Sequence, residues 1–104
     1  MAWFILFIAG IFETAWAIGL KYSHGFSKLW PTVFTVITLM ISMSLLAYAL
    51  RTLPVGTAYA VWTGIGAVGT AILGIFLFND SVDPLRLFFI LLIVIGIAGL
   101  KYVG

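Results

Sequence analysis

Glu13 is the residue whose type and position most clearly indicate chemistry in this chain. It interrupts an apolar stretch, from Trp3 to Leu20, that carries no other charged side chain. A carboxyl group at bilayer depth costs several kcal/mol to insert, so such a residue is rare and usually belongs to a path for protons, ions or substrates. The sequence therefore predicts a proton- or cation-binding site at Glu13.

Polar and aromatic side chains recur at helical spacing in the stretches around this carboxylate. On its own stretch, Gly10 and Trp16 fall on the same face as Glu13. Two further stripes are visible: Thr35, Thr38 and Ser42 in the second stretch, and Tyr59, Trp62, Thr63, Gly66 and Thr70 in the third. A cavity with a carboxylate, hydroxyls and Trp or Tyr rings suits a cation with a planar or apolar body, because ring faces attract cations and hydroxyls hydrogen-bond carboxylates.

Each of these residue types also has a plainer interpretation. Trp and Tyr gather in belts at membrane interfaces. That interpretation accounts for Trp3, Trp30, Tyr22 and Tyr102. Trp16 and Trp62 lie several residues inside their stretches, which favours the cavity. A Ser or Thr in a membrane helix usually bonds the carbonyl four residues before it, so periodicity alone favours that role for Ser42.

The composition identifies a membrane protein. Of 104 residues, 64% are hydrophobic and 8% are charged, whereas soluble domains carry about 25% charged residues. The absence of cysteine excludes disulfides and thiolate metal sites, and a single histidine, His24, predicts no metal centre. No basic run indicates nucleic-acid binding, and no nucleophile–base pair indicates an enzyme, so we expect neither a catalytic residue nor a cofactor.

Four apolar segments, which we predict to be the transmembrane helices of a single domain, cover residues 3–20, 31–50, 55–78 and 85–100. In lipid such segments must be helical, because the backbone finds no water to bond. The third holds Gly64, Gly66 and Gly69 near its middle, which favours a bend. From residue 87 onward the fourth has no polar side chain, and we expect Gly96 and Gly99 to allow close packing there, at a dimer interface.

The basic residues predict how the chain lies in the membrane. Four spans put Lys21, Lys28 and Arg86 on one side, with Arg51 and Lys101 on the other. The positive-inside rule needs a clear excess of Lys and Arg, so we expect insertion in both orientations, unless differences in helix hydrophobicity select one. Four short helices are too few to enclose a solute path. Two antiparallel copies are therefore predicted to form one transporter, as inverted repeats do within larger chains.

The third span opens with a distinctive run, Pro54-Val55-Gly56-Thr57-Ala58-Tyr59-Ala60-Val61-Trp62-Thr63-Gly64-Ile65-Gly66. Gly10 and Trp16 lie one turn either side of Glu13, Ser42 lies in the second span, and the fourth ends in Gly99-Leu100-Lys101. With four short spans and one carboxylate, the whole chain resembles the small multidrug resistance family, and within it the guanidinium exporter subtype. The turn Asn79-Asp80 departs from the Gly-Glu or Lys-Glu expected there, in a loop rather than at the site.

The resemblance implies a proton-coupled antiporter that exports guanidinium across the bacterial inner (plasma) membrane by alternating access. It implies an antiparallel homodimer in the lipid bilayer, in which Glu13 binds both substrate and protons. The positions that match the family's pocket are Gly10, Trp16, Ser42, Tyr59 and Trp62. Guanidinium presents a planar pair of N–H donors that fits a carboxylate, and we expect Ser42 to hold Glu13 in position.

Other functions stay open at this point. An exporter of hydrophobic or quaternary ammonium cations, or of substituted guanidinium, has the same fold and differs in its pocket. A rotor-ring proteolipid also carries one carboxylate in the membrane, but its tightly packed small residues leave little room for Trp16, Tyr59 and Trp62. A non-transporting subunit of a larger membrane assembly is the remaining alternative, which activity of the purified chain alone would exclude.

Overall fold

Four α-helices follow one another along the chain. The computed structural model describes residues 1–103, with α1 at Ala2–Tyr22, α2 at Leu29–Ala49, α3 at Val55–Phe78 and α4 at Pro84–Val103. No strand occurs within these residues. Each helix is long and apolar enough to cross a membrane. The predicted fold class, an all-α protein with four transmembrane helices, is confirmed.

Short turns set the ends of the helices. After α1, the buried Ser23 hydroxyl donates to the Leu20 carbonyl (2.7 Å) and accepts the N–H of Phe26 (3.1 Å). α3 follows Pro54 and ends where Asn79 adopts a left-handed conformation with φ 56°. Two helices extend beyond their predicted ends: α1 continues past residue 20 to Tyr22, and α4 continues past residue 100 to Val103.

Helix α1 lies at the centre of the fold. It packs against both α2 and α3, while α4 packs against α3 alone among the described helices. The buried apolar residues come from the three central helices: Leu6, Ala9, Leu46, Ala49, Ala58, Val61 and Trp62. Helix α1 therefore presents Glu13 between neighbours on two sides, which is the arrangement a site within the bundle requires.

Glycines of α3 mark the places where helices approach closely. A Cβ at Gly66 would lie 2.5 Å from Glu13 Cδ, and one at Gly69 would overlap Thr14. On another face, a Cβ at Gly64 would lie 2.9 Å from Ile97 Cδ1 of α4. The helix is continuous from Val55 to Phe78. These glycines therefore act as contact positions here, and the bend favoured by the sequence stays a prediction.

Helix α4 offers an open apolar surface. None of its described residues is buried, and a Cβ at Gly96 or Gly99 would meet no atom within 4 Å. The close contact expected at these glycines is thus not made within one chain. A helix with this surface must have lipid or another chain against it, and the glycines would let another helix approach.

Candidate functional site

A cavity between α1 and α3 contains Glu13. Its volume is ≈420 Å³, and its lining residues are Glu13, Trp16, Ala17, Thr63, Gly66, Ala67, Thr70, Ala71, Asp80 and Arg86. Because Gly66 has no side chain, the carboxylate lies directly against α3, where a Cβ would be 2.7 Å from Glu13 Oε2. Part of the polar stripe predicted on α3, namely Thr63, Gly66 and Thr70, therefore shares the cavity with the carboxylate.

Two polar atoms of α1 are buried in this region without a partner. Glu13 Oε2 and Trp16 Nε1 make no hydrogen bond to any described residue. Leaving a buried polar group unpaired costs ~1–3 kcal/mol, so Glu13 Oε2 is suited to a donor, and the Trp16 Nε1–H to an acceptor, from outside the chain. The carboxylate oxygen can accept from a donor, and the Trp16 ring can attract a cation by its face. The cavity can therefore hold a small cation that carries N–H donors.

Ser42 and Trp62 form a second, separate cluster. The Ser42 hydroxyl donates to the Ala9 carbonyl of α1 (2.7 Å) and accepts the Nε1–H of Trp62 (2.9 Å). Both residues are buried. Thr35 and Thr38 on the same stripe instead bond carbonyls four residues earlier in their own helix, at 2.8 Å in each case. Ser42 thus departs from the local role that periodicity alone favours, and it joins three helices.

The expected contact between Ser42 and Glu13 is not made among the described residues. The single O–H of Ser42 donates to the Ala9 carbonyl, and its oxygen accepts from Trp62, so no donor is left for the Glu13 carboxylate. Ala9 precedes Glu13 by one helical turn, so Ser42 holds the backbone of α1 rather than the carboxylate itself. Within one chain, Ser42 therefore acts on Glu13 through the position of α1, and direct orientation of the carboxylate by Ser42 stays a prediction.

Two further predicted pocket residues lie outside the cavity of a single chain. Gly10 is buried, and a Cβ there would lie 2.5 Å from Ile65 Cγ2, so the space beside it is filled by α3. Tyr59 is 58% exposed, with its ring centroid 5.7 Å from that of Trp62. The structure therefore brings Glu13 and Trp16 together in one cavity and places Tyr59 at the outer side of the Ser42–Trp62 cluster.

Several residues of this region lie outside the stripes predicted from the sequence. Thr14 is buried beside Glu13, and its hydroxyl lies 3.3 Å from the Gly10 carbonyl and 3.4 Å from the Gly66 carbonyl, so it ties α1 to α3. Periodicity could not identify it, because Thr14 lies off the stripe of Glu13. Asp80 and Arg86 reach the cavity from the turn between α3 and α4 and the start of α4, where no periodic signal exists.

The fold and the cavity define a small multi-pass membrane protein with one carboxylate between its helices. A family model described as Small Multidrug Resistance protein matches residues 1–93. The chain belongs to the small multidrug resistance family. The four apolar helices and this membership make it a multi-pass protein of the bacterial inner membrane.

The chain is also similar to named relatives along nearly its whole length. A protein named Guanidinium exporter from Escherichia coli (strain K12) is 62% identical over 101 residues, which are 97% of this chain and 96% of the relative. Relatives of the same name from Salmonella typhimurium and Citrobacter freundii are 60% and 58% identical over the same shares. The predicted resemblance to the family and to its guanidinium exporter subtype is confirmed.

Proposed function

We propose that this chain exports guanidinium across the membrane in exchange for protons, with Glu13 as the site that binds both. The observation that carries the proposal is the unpaired Oε2 of Glu13, buried in a cavity beside the Trp16 ring. Guanidinium is a planar cation with N–H donors and no acceptor, which complements a carboxylate and an aromatic face. The names of relatives at 58–62% identity support the choice of guanidinium.

Exchange follows from competition for one carboxylate. Guanidinium stays charged at cellular pH, so a Glu13 carboxylate can hold either a proton or the substrate cation, and each displaces the other. Transport is coupled if the site changes sides only when one of the two is bound, which is alternating access. No covalent bond is made or broken in this exchange. A transport role agrees with the relatives' names.

We further propose that the transporter is an antiparallel homodimer. Two observations support it: α4 has no buried residue in the described chain, and the exposed Tyr59 has no cover on its outer side. A second copy would bring another Glu13 and another Ser42–Trp62 cluster to a shared site. The near balance of Lys and Arg on the two sides supports opposite orientations of the two copies.

The substitution Glu13→Gln tests the proposed function. Gln keeps the size of the side chain but can neither bind a proton in this range nor carry negative charge, so we expect guanidinium-dependent currents in proteoliposomes to disappear. Asp80→Asn and Asp83→Asn, which each remove one of the other two acidic side chains in the sequence, should each retain a current. Persistent pH-dependent guanidinium transport by Glu13→Gln would contradict the scheme. Tetra-alkyl ammonium ions that compete fully with guanidinium would instead favour the multidrug alternative.

A further inference from the structure

The Glu13 cavity has a second carboxylate at its edge. Asp80, in the turn between α3 and α4, and Arg86, in the first turn of α4, line the same cavity as Glu13 and Trp16. Their side chains are 48% and 31% exposed, so this edge of the cavity meets water. We define these two residues as the outer pair. Any cation that reaches Glu13 along this edge passes the outer pair first.

Backbone contacts hold Asp80 at this edge. Its N–H donates to the Gly74 carbonyl (3.1 Å), and its carboxylate rests against Gly74, where a Cβ would overlap Asp80 Oδ2. The left-handed conformation of Asn79 turns the chain back so that this contact can form. The position of the carboxylate is therefore set by a turn and a glycine, and does not depend on Arg86.

Arg86 is only loosely paired with that carboxylate. Its Nη1 donates to the Ser81 carbonyl at 2.7 Å, whereas its Nη2 lies 3.9 Å from Asp80 Oδ2, which is beyond hydrogen-bonding distance. A carboxylate and a guanidinium in the best geometry form two parallel hydrogen bonds. Asp80 thus keeps an acceptor capacity that Arg86 does not use, although Arg86 ends in the same chemical group as the proposed substrate.

We propose that Asp80 is an outer guanidinium subsite on the path to Glu13, with the guanidinium group of Arg86 as the group that a substrate ion displaces. The inference rests on the proposed function and deepens it. A free guanidinium ion can make the two-bond contact with Asp80 that Arg86 does not make. Arg86 and nearby Lys21, which shares a depression with Asp80, add positive charge that hastens release from the subsite.

Two substitutions separate this role from a structural one. Asp80→Asn and Arg86→Gln each abolish the same ion pair, so a purely structural pair predicts changes in the same direction. If the two residues belong to a cation subsite, the two substitutions should instead change the KM for guanidinium in opposite directions. Asp80→Asn leaves Arg86 unopposed and should raise the KM for guanidinium, whereas Arg86→Gln should lower it. Each change should be roughly two- to fivefold, because both side chains are partly exposed and water weakens the interaction between single charges.

Controls make the test specific to this edge of the cavity. Asp83→Asn removes the same charge from the same turn but outside the cavity, and Asn can still cap α4 as Asp83 does at Leu85 (2.8 Å), so its KM should match wild type. The double variant Asp80→Asn with Arg86→Gln should fall between the single variants. All effects should shrink when the salt concentration rises from 0.05 M to about 0.5 M.

The outcomes distinguish the inference from the function on which it rests. Changes of KM in the same direction, or an effect of Asp83→Asn equal to that of Asp80→Asn, would overturn the outer subsite. Absence of guanidinium current in the wild-type chain would instead overturn the proposed function. If Asp80→Asn folds poorly, a lower KM in Arg86→Gln alone still supports the subsite, because loss of a structural pair does not improve substrate binding.

Discussion

The Ser42 hydroxyl acts as donor and acceptor at the point where α1, α2 and α3 meet. It reaches the Ala9 carbonyl on one side and the Trp62 indole on the other, and all three residues are buried. A cross-helix hydrogen bond in a membrane averages only about 0.6 kcal/mol. An indole N–H left buried without an acceptor costs more, about 1–3 kcal/mol. The stability at this position therefore depends mainly on keeping Trp62 paired.

Ser42→Ala should lower the free energy of unfolding by about 1–2 kcal/mol, because the Trp62 N–H loses its acceptor. We also expect weaker guanidinium transport, since α1 loses its tie at Ala9 one turn before Glu13. Thermal unfolding in detergent and proteoliposome currents measure the two effects. Ser44→Ala on the exposed side of α2 is the matched control and should behave as wild type in both. Equal behaviour of the two variants would show that the Ser42 cluster has no part in transport.

At the scale of helices, the site depends on how closely α1 and α3 approach. Glu13 lies against Gly66, and Thr14 lies against Gly69, so two consecutive residues of α1 pack against two glycines of α3. Side chains larger than hydrogen at these positions would separate the helices or displace the residues of α1. The Glu13 side chain is more flexible than the helix backbone, so a larger residue at Gly66 would displace the Glu13 carboxylate.

Gly66→Ala should therefore impair transport more than folding. The added Cβ would lie 2.5 Å from Glu13 Cδ, so the carboxylate must shift away from its place in the cavity. A shift of about 1 Å in a reacting or binding group can lower the rate on the order of 100-fold, and we expect at least a tenfold loss of guanidinium transport. Gly56→Ala, at an exposed position of the same helix where a Cβ meets nothing within 4 Å, is the control and should transport like wild type.

The helices could be predicted from sequence because lipid leaves a long apolar segment no alternative to a helix. Glu13 could be selected as a candidate for the same reason, since a carboxylate stands out in such a segment, and its role in binding stays a prediction. The partners of Ser42 could not be predicted. Periodicity places Ser42 on a face of α2, but whether that face meets Ala9 or Glu13 depends on the register between α1 and α2, and one turn of difference changes the partner.

The turn between α3 and α4 shows a second limit of sequence reasoning. Asp80 reaches the Glu13 cavity because Asn79 adopts φ 56° and because Gly74 leaves room for its carboxylate. Both conditions are features of the folded turn. The sequence drew attention to Asn79-Asp80 only as a departure from the expected residues, and it indicated no link to the site.

At the scale of the whole molecule, the charged ends agree with the predicted arrangement of spans. Lys21 and Arg86 lie at the end of the bundle that holds Asp80, and at the other end Lys101 Nζ lies 5.5 Å from the Trp3 ring centroid. The numbers of Lys and Arg at the two ends differ by only one, so a small change in either number should change the orientation of the chain. That sensitivity offers a test of the proposed antiparallel dimer.

Two sets of substitutions should each fix one orientation. Arg51→Gln with Lys101→Gln leaves basic residues at one end only, whereas Lys28→Gln with Thr52→Lys and Tyr102→Lys gives the opposite end the excess. If the transporter needs one chain in each orientation, each set alone should give little guanidinium transport in cells, and their co-expression should restore it. Adding Glu13→Gln to either set should abolish that restoration if both carboxylates are needed. Full activity of one set alone, with its orientation confirmed by a C-terminal reporter, would show that antiparallel pairing is not required.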